Sequence, residues 1–391
     1  MSSQPAPSLI DLSSALAERL AHLEASPVEV VAIEPLVGDR APTELKRMGY
    51  GVPLLVRYRS AGSLRQVVFR TQAPNWFGHD RRSDRACLSL LAADTYSDQP
   101  RHIAVRDVGA LRGPELVSLR ATGELYLITD YVEGSLYAND LRAVDERGEA
   151  TLLDLARARA LAAHLADLHA EPPPEAAPQI YTRAIRDLLG SGEGIFGIVD
   201  SYPDDFVDRS LLRRIEELAL AWRWRLGREE VHRLRRTHGD FHPYNLLFRE
   251  LLDFTVLDAS RGGAGDPADD LAAMSINYFF GGLRKPDAWA LGPGQLWRAF
   301  FDEYTRRSGA SSALDNMPPF LAWRSLVLAS PAWYPDISAP VRHALLTRAI
   351  AWLERGFDPG TVDVALFELD AAQDSAISRP PVGGVHGQAL K

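Results

Sequence analysis

A single cysteine, Cys87, stands in 391 residues, so no intramolecular disulfide can form and no cysteine-built zinc site is available. Long apolar runs are missing too: none approaches the ~18 residues that a membrane-spanning helix requires. The opening segment, MSSQPAPSLIDLSSALAERLAHLEA, lacks the basic start and apolar centre of a secretory signal, and the expected compartment is the cytoplasm. Positive charge is in deficit, with 43 Lys and Arg against 52 Asp and Glu, a net −9. A nucleic-acid-binding protein is expected to show the opposite balance. No internal repeat is visible. What remains, 46% apolar and 24% charged residues, is ordinary for a soluble protein, and the length suits two or three folding units.

The pattern along the chain changes once. Residues 9–25 carry Leu12, Leu16, Leu20 and Leu23 at helical spacing. VEVVAIEPL (28–36), VPLLVRYRS (52–60) and LRQVVFRTQ (64–72) are rich in branched residues and predict strands, the last two joined through SAGS as a hairpin. SDRACLSLLAADTY (83–96) predicts a helix, and RHIAVRDVGAL and LYLITDYV predict two further strands. From 134 onward the pattern is helical, clearest at 152–170, then near 180–189, 205–227, 267–280, 294–308, 317–330, 338–356 and 361–373. The reading is α+β: a small strand-rich part, then a larger helical one, divided near 130–134.

Two short strand-like stretches interrupt the helical part, and they hold the chemistry. THGDFHPYNLLF (237–248) has His238 and His242 four residues apart, the spacing of a zinc pair on a helix. Gly239 and Pro243 break any helix through them, which sets zinc hydrolysis aside. The same stretch offers Asp240 and Asn245, and FTVLDAS (254–260) adds Asp258. A carboxylate to orient a hydroxyl, with an amide and a second carboxylate to hold a hard cation, is the set that phosphoryl transfer from a nucleoside triphosphate asks for.

HGDFHPYN followed by VLDASRGGAGDPADDLA resembles the aminoglycoside phosphotransferase and choline kinase family, relatives of the protein kinases, over roughly residues 28–375. The resemblance implies a protein-kinase-like two-lobe fold: a helical extension (1–27), a nucleotide-binding N-lobe with a small antiparallel sheet plus helix (28–130), a mainly helical catalytic C-lobe (131–375) and a flexible tail (376–391). It implies Asp240 as the catalytic aspartate, Asn245 and Asp258 as Mg²⁺ ligands, and His238 and Asp270 as supports of the loop. In LYLITDYVEGS it implies that backbone groups of Asp130 and Val132 read the adenine edge, with Thr129 at the back of the pocket. The implied cofactors are Mg²⁺ and ATP or GTP. The implied partner is a small molecule bearing a hydroxyl.

The N-lobe departs from the family pattern. Arg70 stands where the family has a lysine that touches the phosphates, and Asp84 is the nearest acid to pair with it. The phosphate-covering loop falls within 36–51, where Lys46 and Arg47 are available. GEGIFG (192–197) follows a helix rather than a strand, which removes the dinucleotide reading and leaves either an acceptor-side loop or helix punctuation. Trp323, Trp333 and Tyr334 suit core packing or an acceptor wall, and Asp302 and Glu303 an amine site or pairing with Arg306 and Arg307. Beside the kinase reading stand a nucleotide-binding protein without transfer and a nucleotidyltransferase.

Overall fold

The structure, a computed structural model, describes residues 9–36, 51–96, 100–101, 103–259, 261, 263–309 and 311–362. Two compact units divide between Thr129 and Asp130. The class is the α+β one expected: a small antiparallel sheet with helices in the first unit and a mainly helical second unit.

In the first unit α1 (Leu9–Glu24) precedes β1 (Val28–Pro35), β2 (Leu54–Ser60) and β3 (Ser63–Phe69), an antiparallel sheet in that order. The β2–β3 turn takes Ala61 and Gly62 at positive φ, as a two-residue hairpin requires. The leucine stripe of α1 (Leu12, Leu16 and Leu20) buries itself against Val56 and Tyr58 on alternate positions of β2. Among the described residues this helix supplies three of the five buried members of that core cluster. Tyr58 Oη donates to Glu24 at 2.7 Å, which satisfies a buried hydroxyl. α2 (Arg82–Tyr96) and the hairpin β4 (Gly109–Arg112) and β5 (Glu115–Ser118) complete the unit.

The last two expected strands are corrected. RHIAVRDVGAL becomes strand only from Gly109, where it turns back on 115–118. LYLITDYV forms no strand, and Leu127 is 87% exposed. β-forming residues become a strand only when a neighbour supplies the ladder, and among the described residues no strand pairs with 125–132.

In the second unit β6 (Ser135–Leu136) pairs with β7 (Leu246–Phe248), and β7 with β8 (Phe254–Val256). The helices are α3 (Tyr137–Arg147), α4 (Leu152–Ala170), α5 (Pro178–Gly190), α6 (Ile195–Asp200), α7 (Arg209–Glu229), α8 (Pro267–Arg284), α9 (Pro293–Ser308), α10 (Met317–Ala329) and α11 (Ala339–Arg355). Helix α4 opens on a capping box between Thr151 and Asp154 and buries Leu161 and Leu165. α8 and α10 are buried nearly all round, so they form the centre against which the loop 237–245 is built. The short helix α3 is absent from the sequence reading, because its apolar stripe is only Tyr137, Leu141 and Val144.

Gly194 and Gly197 belong to the turn into α6. A side chain on Gly197 would run into the carbonyl of Gly192, so this part of GEGIFG needs bare backbone. Of the helix expected at 361–373 only a short turn, Pro359–Thr361, is described. Lys46, Arg47 and the tail from 376 lie outside the described residues. No described helix is long and apolar enough to cross a membrane.

Candidate active site

The loop 237–245 is hung on the first turn of α8. Asp270, with 0% of its surface exposed, accepts the backbone N–H groups of His238 (2.8 Å) and Gly239 (2.7 Å) and contacts His169 Nε2 at 3.2 Å. Gly239 needs φ of 85°, which glycine adopts without steric cost, to turn both amides toward that carboxylate. His169 Nδ1 in turn meets the Tyr304 hydroxyl at 2.9 Å. A carboxylate held by three N–H groups is fully satisfied despite its burial.

His238 locks the other side. Its Nδ1 accepts from the Asp240 backbone N–H (3.2 Å), so the proton sits on Nε2 and is donated to the carbonyl of Leu257 (2.8 Å). His242 caps the turn that Pro243 begins, with Nδ1 accepting from Tyr244 N–H at 3.2 Å. That leaves its Nε2–H 3.5 Å from Asp240 Oδ2. The two histidines thus hold the loop, and among the described residues no group of three or more His, Cys, Asp or Glu is gathered for a metal.

Asn245 donates Nδ2–H to the Asp240 carbonyl (3.0 Å), while its own backbone carbonyl accepts from Leu257 N–H (2.8 Å). No hydrogen bond from the described residues reaches its Oδ1. Asp258 follows Leu257 directly, at φ of 45° in the left-handed region and with an exposed side chain. For a residue with a side chain this costs on the order of 1 kcal/mol, and such strain gathers at working sites. Asn245 and Asp258 therefore stand at the same end of the β7–β8 hairpin.

Asp240 itself is paired. Arg324 of α10 donates Nη1–H to its Oδ1 at 2.6 Å and Nη2–H to Asp269 Oδ1 at 3.1 Å. Burial pushes the Asp240 carboxyl up, but the His242 contact and the Arg324 guanidinium outweigh it and hold the group well below the usual carboxylate range. The sequence reading missed Arg324. A lone charge inside MPPFLAWRSLVLA was the available signal, since a buried arginine needs a buried acid.

Asp269 behaves in the opposite way. Burial raises it, Arg324 opposes, Asp270 beside it adds to the rise, and the result is a pKa of about 6. Because the folded value lies above the unfolded one, its contribution to stability is complete below about pH 4 and is lost as pH rises through about 6. We expect unfolding free energy to fall by on the order of 2 kcal/mol across that window from this group. Urea denaturation at pH 4 to 7 checks it, since Asp269→Asn should flatten the slope; equal slopes in the two proteins would reject the assignment.

The remaining sequence candidates divide. Asp130 is exposed and Val132 half-buried, in a stretch without regular structure that leads into β6. In the first unit Arg70 and Asp84 do not pair: Arg70 Nη2–H donates to the Tyr96 hydroxyl (3.1 Å), and Asp84 accepts from Arg81 N–H (3.0 Å) in the first turn of α2. Arg70 lies one residue past β3, opposite the last turn of α2 rather than its first. Glu303 pairs with Arg306 (2.6 Å), and Arg307 with Asp167 (2.6 Å), the surface-pair alternative for that helix. Trp323 is buried, and its Nε1–H donates to the Glu193 carbonyl at 2.7 Å.

Asp240 is thus held by Arg324 on a loop fastened to the buried Asp270, and Asn245 and Asp258 stand at one end of the hairpin that follows. The model of the phosphotransferase enzyme family (APH) matches residues 54–310, and the chain belongs to that family. No curated protein matches it. Solved structures resemble it at low identity. An aminoglycoside phosphotransferase of Streptomyces rimosus, solved with ADP and streptomycin, is 21% identical over 47% of this chain and 66% of that one, with a TM-score of 0.31. A macrolide phosphotransferase of Brachybacterium faecium is 16% identical over 89% and 99%, TM-score 0.28. A choline kinase of Streptococcus pneumoniae is 14% identical over 87% and 98%, TM-score 0.32.

Proposed function

We propose that this phosphotransferase moves the γ-phosphoryl group of Mg²⁺-bound ATP or GTP to a hydroxyl of a small molecule. The observation that carries the reading is Asp240: an ionised carboxylate with one oxygen engaged by Arg324, in a loop that Asp270 and His238 immobilise. Asp240 orients the acceptor hydroxyl and receives its proton as the new O–P bond forms. A carboxylate held this far down is a weak base, so most of its contribution is orientation and negative charge, which suits a loose phosphoryl-transfer transition state.

Asn245 and Asp258 fit a Mg²⁺ ion by donor type, for both present oxygen to one end of a hairpin, and Asn245 Oδ1 has no competing hydrogen bond from the described residues. When bound, the cation neutralises charge on the phosphates. Asp270 and His238 act as the loop's supports, Asp130 and Val132 offer backbone groups to the base, and Arg70 and Asp84 are assigned to the nucleotide side. Arg70 supplies a cation there, steadied by Tyr96 and not by Asp84.

Calorimetric titration of Mg·ATP and Mg·GTP into wild type and Asp258→Ala tests the nucleotide side. We expect metal-dependent binding in wild type and at least about tenfold weaker binding, ~1.4 kcal/mol, in the variant. Equal binding in both would remove Asp258 from the site. ADP release in the presence of streptomycin, gentamicin, a macrolide, glucosamine and choline then screens acceptors. A nucleotide-binding protein without transfer is the second reading, and the observation in its favour is that Arg70 lacks the acidic partner. Tight binding without ADP release from any acceptor would favour it, while pyrophosphate release would indicate nucleotidyl transfer.

A further inference from the structure

We propose that Arg324 is a positioning residue of the transfer: it withdraws Oδ1 of Asp240 from use, leaves Oδ2 as the oxygen that meets the acceptor, and ties that choice to the turn at Glu193. The proposal rests on the reading of Asp240 given above.

The geometry is specific. Arg324 is 8% exposed, and α10 presents it among buried apolar residues. Such a charge is retained only when it is paired. Its fork divides between two acids, Nη1–H to Asp240 (2.6 Å) and Nη2–H to Asp269 (3.1 Å), with the Gly239 carbonyl at 3.5 Å from Nη2. A lysine could not span both, because an ammonium is a point charge without the planar fork. Among the described residues Asp240 Oδ2 meets His242 Nε2, at 3.5 Å, a long contact that steadies its charge and that an incoming hydroxyl can displace.

Asp240 alone could rotate about its side-chain bond and present either oxygen. With Oδ1 fixed, one oxygen in one direction is left, and a misplacement of about 1 Å at such a group costs on the order of a hundredfold in rate.

The second element is the neighbour. Trp323 lies under the Arg324 guanidinium, 4.0 Å from it to the ring centroid, and Arg261 reaches the same ring at 4.4 Å. The indole N–H donates to the Glu193 carbonyl, and Glu193 Oε2 accepts from Arg261 at 3.2 Å. The turn of GEGIFG is thus linked through one indole to the residue that holds Asp240. Glycines at 194 and 197 keep that turn tight enough to reach it. Of the two readings of GEGIFG, punctuation of a helix or a loop beside the acceptor, this link favours the second.

The test compares wild type, Arg324→Lys, Arg324→Gln and Asp240→Asn in Mg·ATP turnover, read as ADP release with water alone and with glucosamine as the probe acceptor. Arg324→Gln is expected to lower kcat about 10–100-fold while KM for Mg·ATP moves less than about threefold, and Arg324→Lys to recover part of the loss. Unchanged kcat in folded Arg324→Gln overturns the proposal. Unchanged kcat in Asp240→Asn overturns instead the reading of Asp240, so the two failures separate. A urea-denaturation cycle of Arg324→Gln with Asp240→Ala, which removes the acceptor altogether, is independent of turnover. We expect non-additive unfolding constants, coupled by about tenfold or more, and additive effects overturn the pair. Should Arg324→Gln not fold, Arg324→Lys takes its place in the same cycle.

Discussion

Asp240→Asn is expected to lower kcat by about 10²–10⁴-fold while KM for the nucleotide stays within a few fold. The substitution is nearly isosteric, and the asparagine carbonyl can still accept from Arg324 where Oδ1 now accepts at 2.6 Å. The loop need not move, because its anchors are the backbone groups of His238 and Gly239 on Asp270 and the His238 ring on Leu257. What disappears is the negative charge and, in the proposed function, the oxygen that takes the acceptor's proton. An interaction made chiefly in the transition state lowers kcat, not ground-state binding. The Asp240 carboxyl stays ionised well below the usual range, so wild-type activity should show no acid limb from this group between pH 5 and 8. Steady-state ADP release across that pH range, with circular dichroism to confirm the fold, checks both statements. A kcat loss below tenfold would remove Asp240 from the chemistry.

How much of this could be read beforehand depends on how far apart the participants lie. The loop 237–245 is legible as a loop because the glycine and proline that forbid a helix lie within the same twelve positions, and Asp258 because it follows directly on a short strand-like stretch. The long helices are legible because burial repeats every turn: Leu161 and Leu165 of α4 are each fully covered. Arg324 escapes for the opposite reason. It lies 84 positions from Asp240 in a helix whose apolar character says only "core", and no local pattern states which acid will meet it. The pair expected between Arg70 and Asp84 fails similarly, for proximity in sequence order does not decide which turn of α2 faces β3; Tyr96 at its far end does. The segment LYLITDYV has strand composition, but composition cannot supply the neighbouring ladder. In each miss the local preference was read correctly and the partner was not in it.

The largest stability effect is expected at Asp270, which carries the loop without touching the reaction. Asp270→Ala should destabilise the protein by about 3–5 kcal/mol, a large share of the 5–15 kcal/mol typical of a whole domain. Removing the carboxylate strands two backbone N–H groups and the Nε2–H of His169, all buried, and each stranded donor costs roughly 1–3 kcal/mol. Asp270→Asn should be little better. Its amide nitrogen would face a donor whichever way it turned, toward Gly239 N–H on one side or His238 N–H on the other. Tyr304→Phe removes only the last hydroxyl of the chain, the one bonded to His169 Nδ1, and should cost about 1 kcal/mol. Urea denaturation of the three variants orders them. If Asp270→Ala lost no more than Tyr304→Phe, the loop would have some other anchor, and the route from Asp270 through Gly239 to Asp240 would have to be abandoned. If the order holds, exchange of the Gly239 amide with solvent should quicken in Asp270→Ala far beyond the change in Tyr304→Phe, since only the first removes that amide's acceptor.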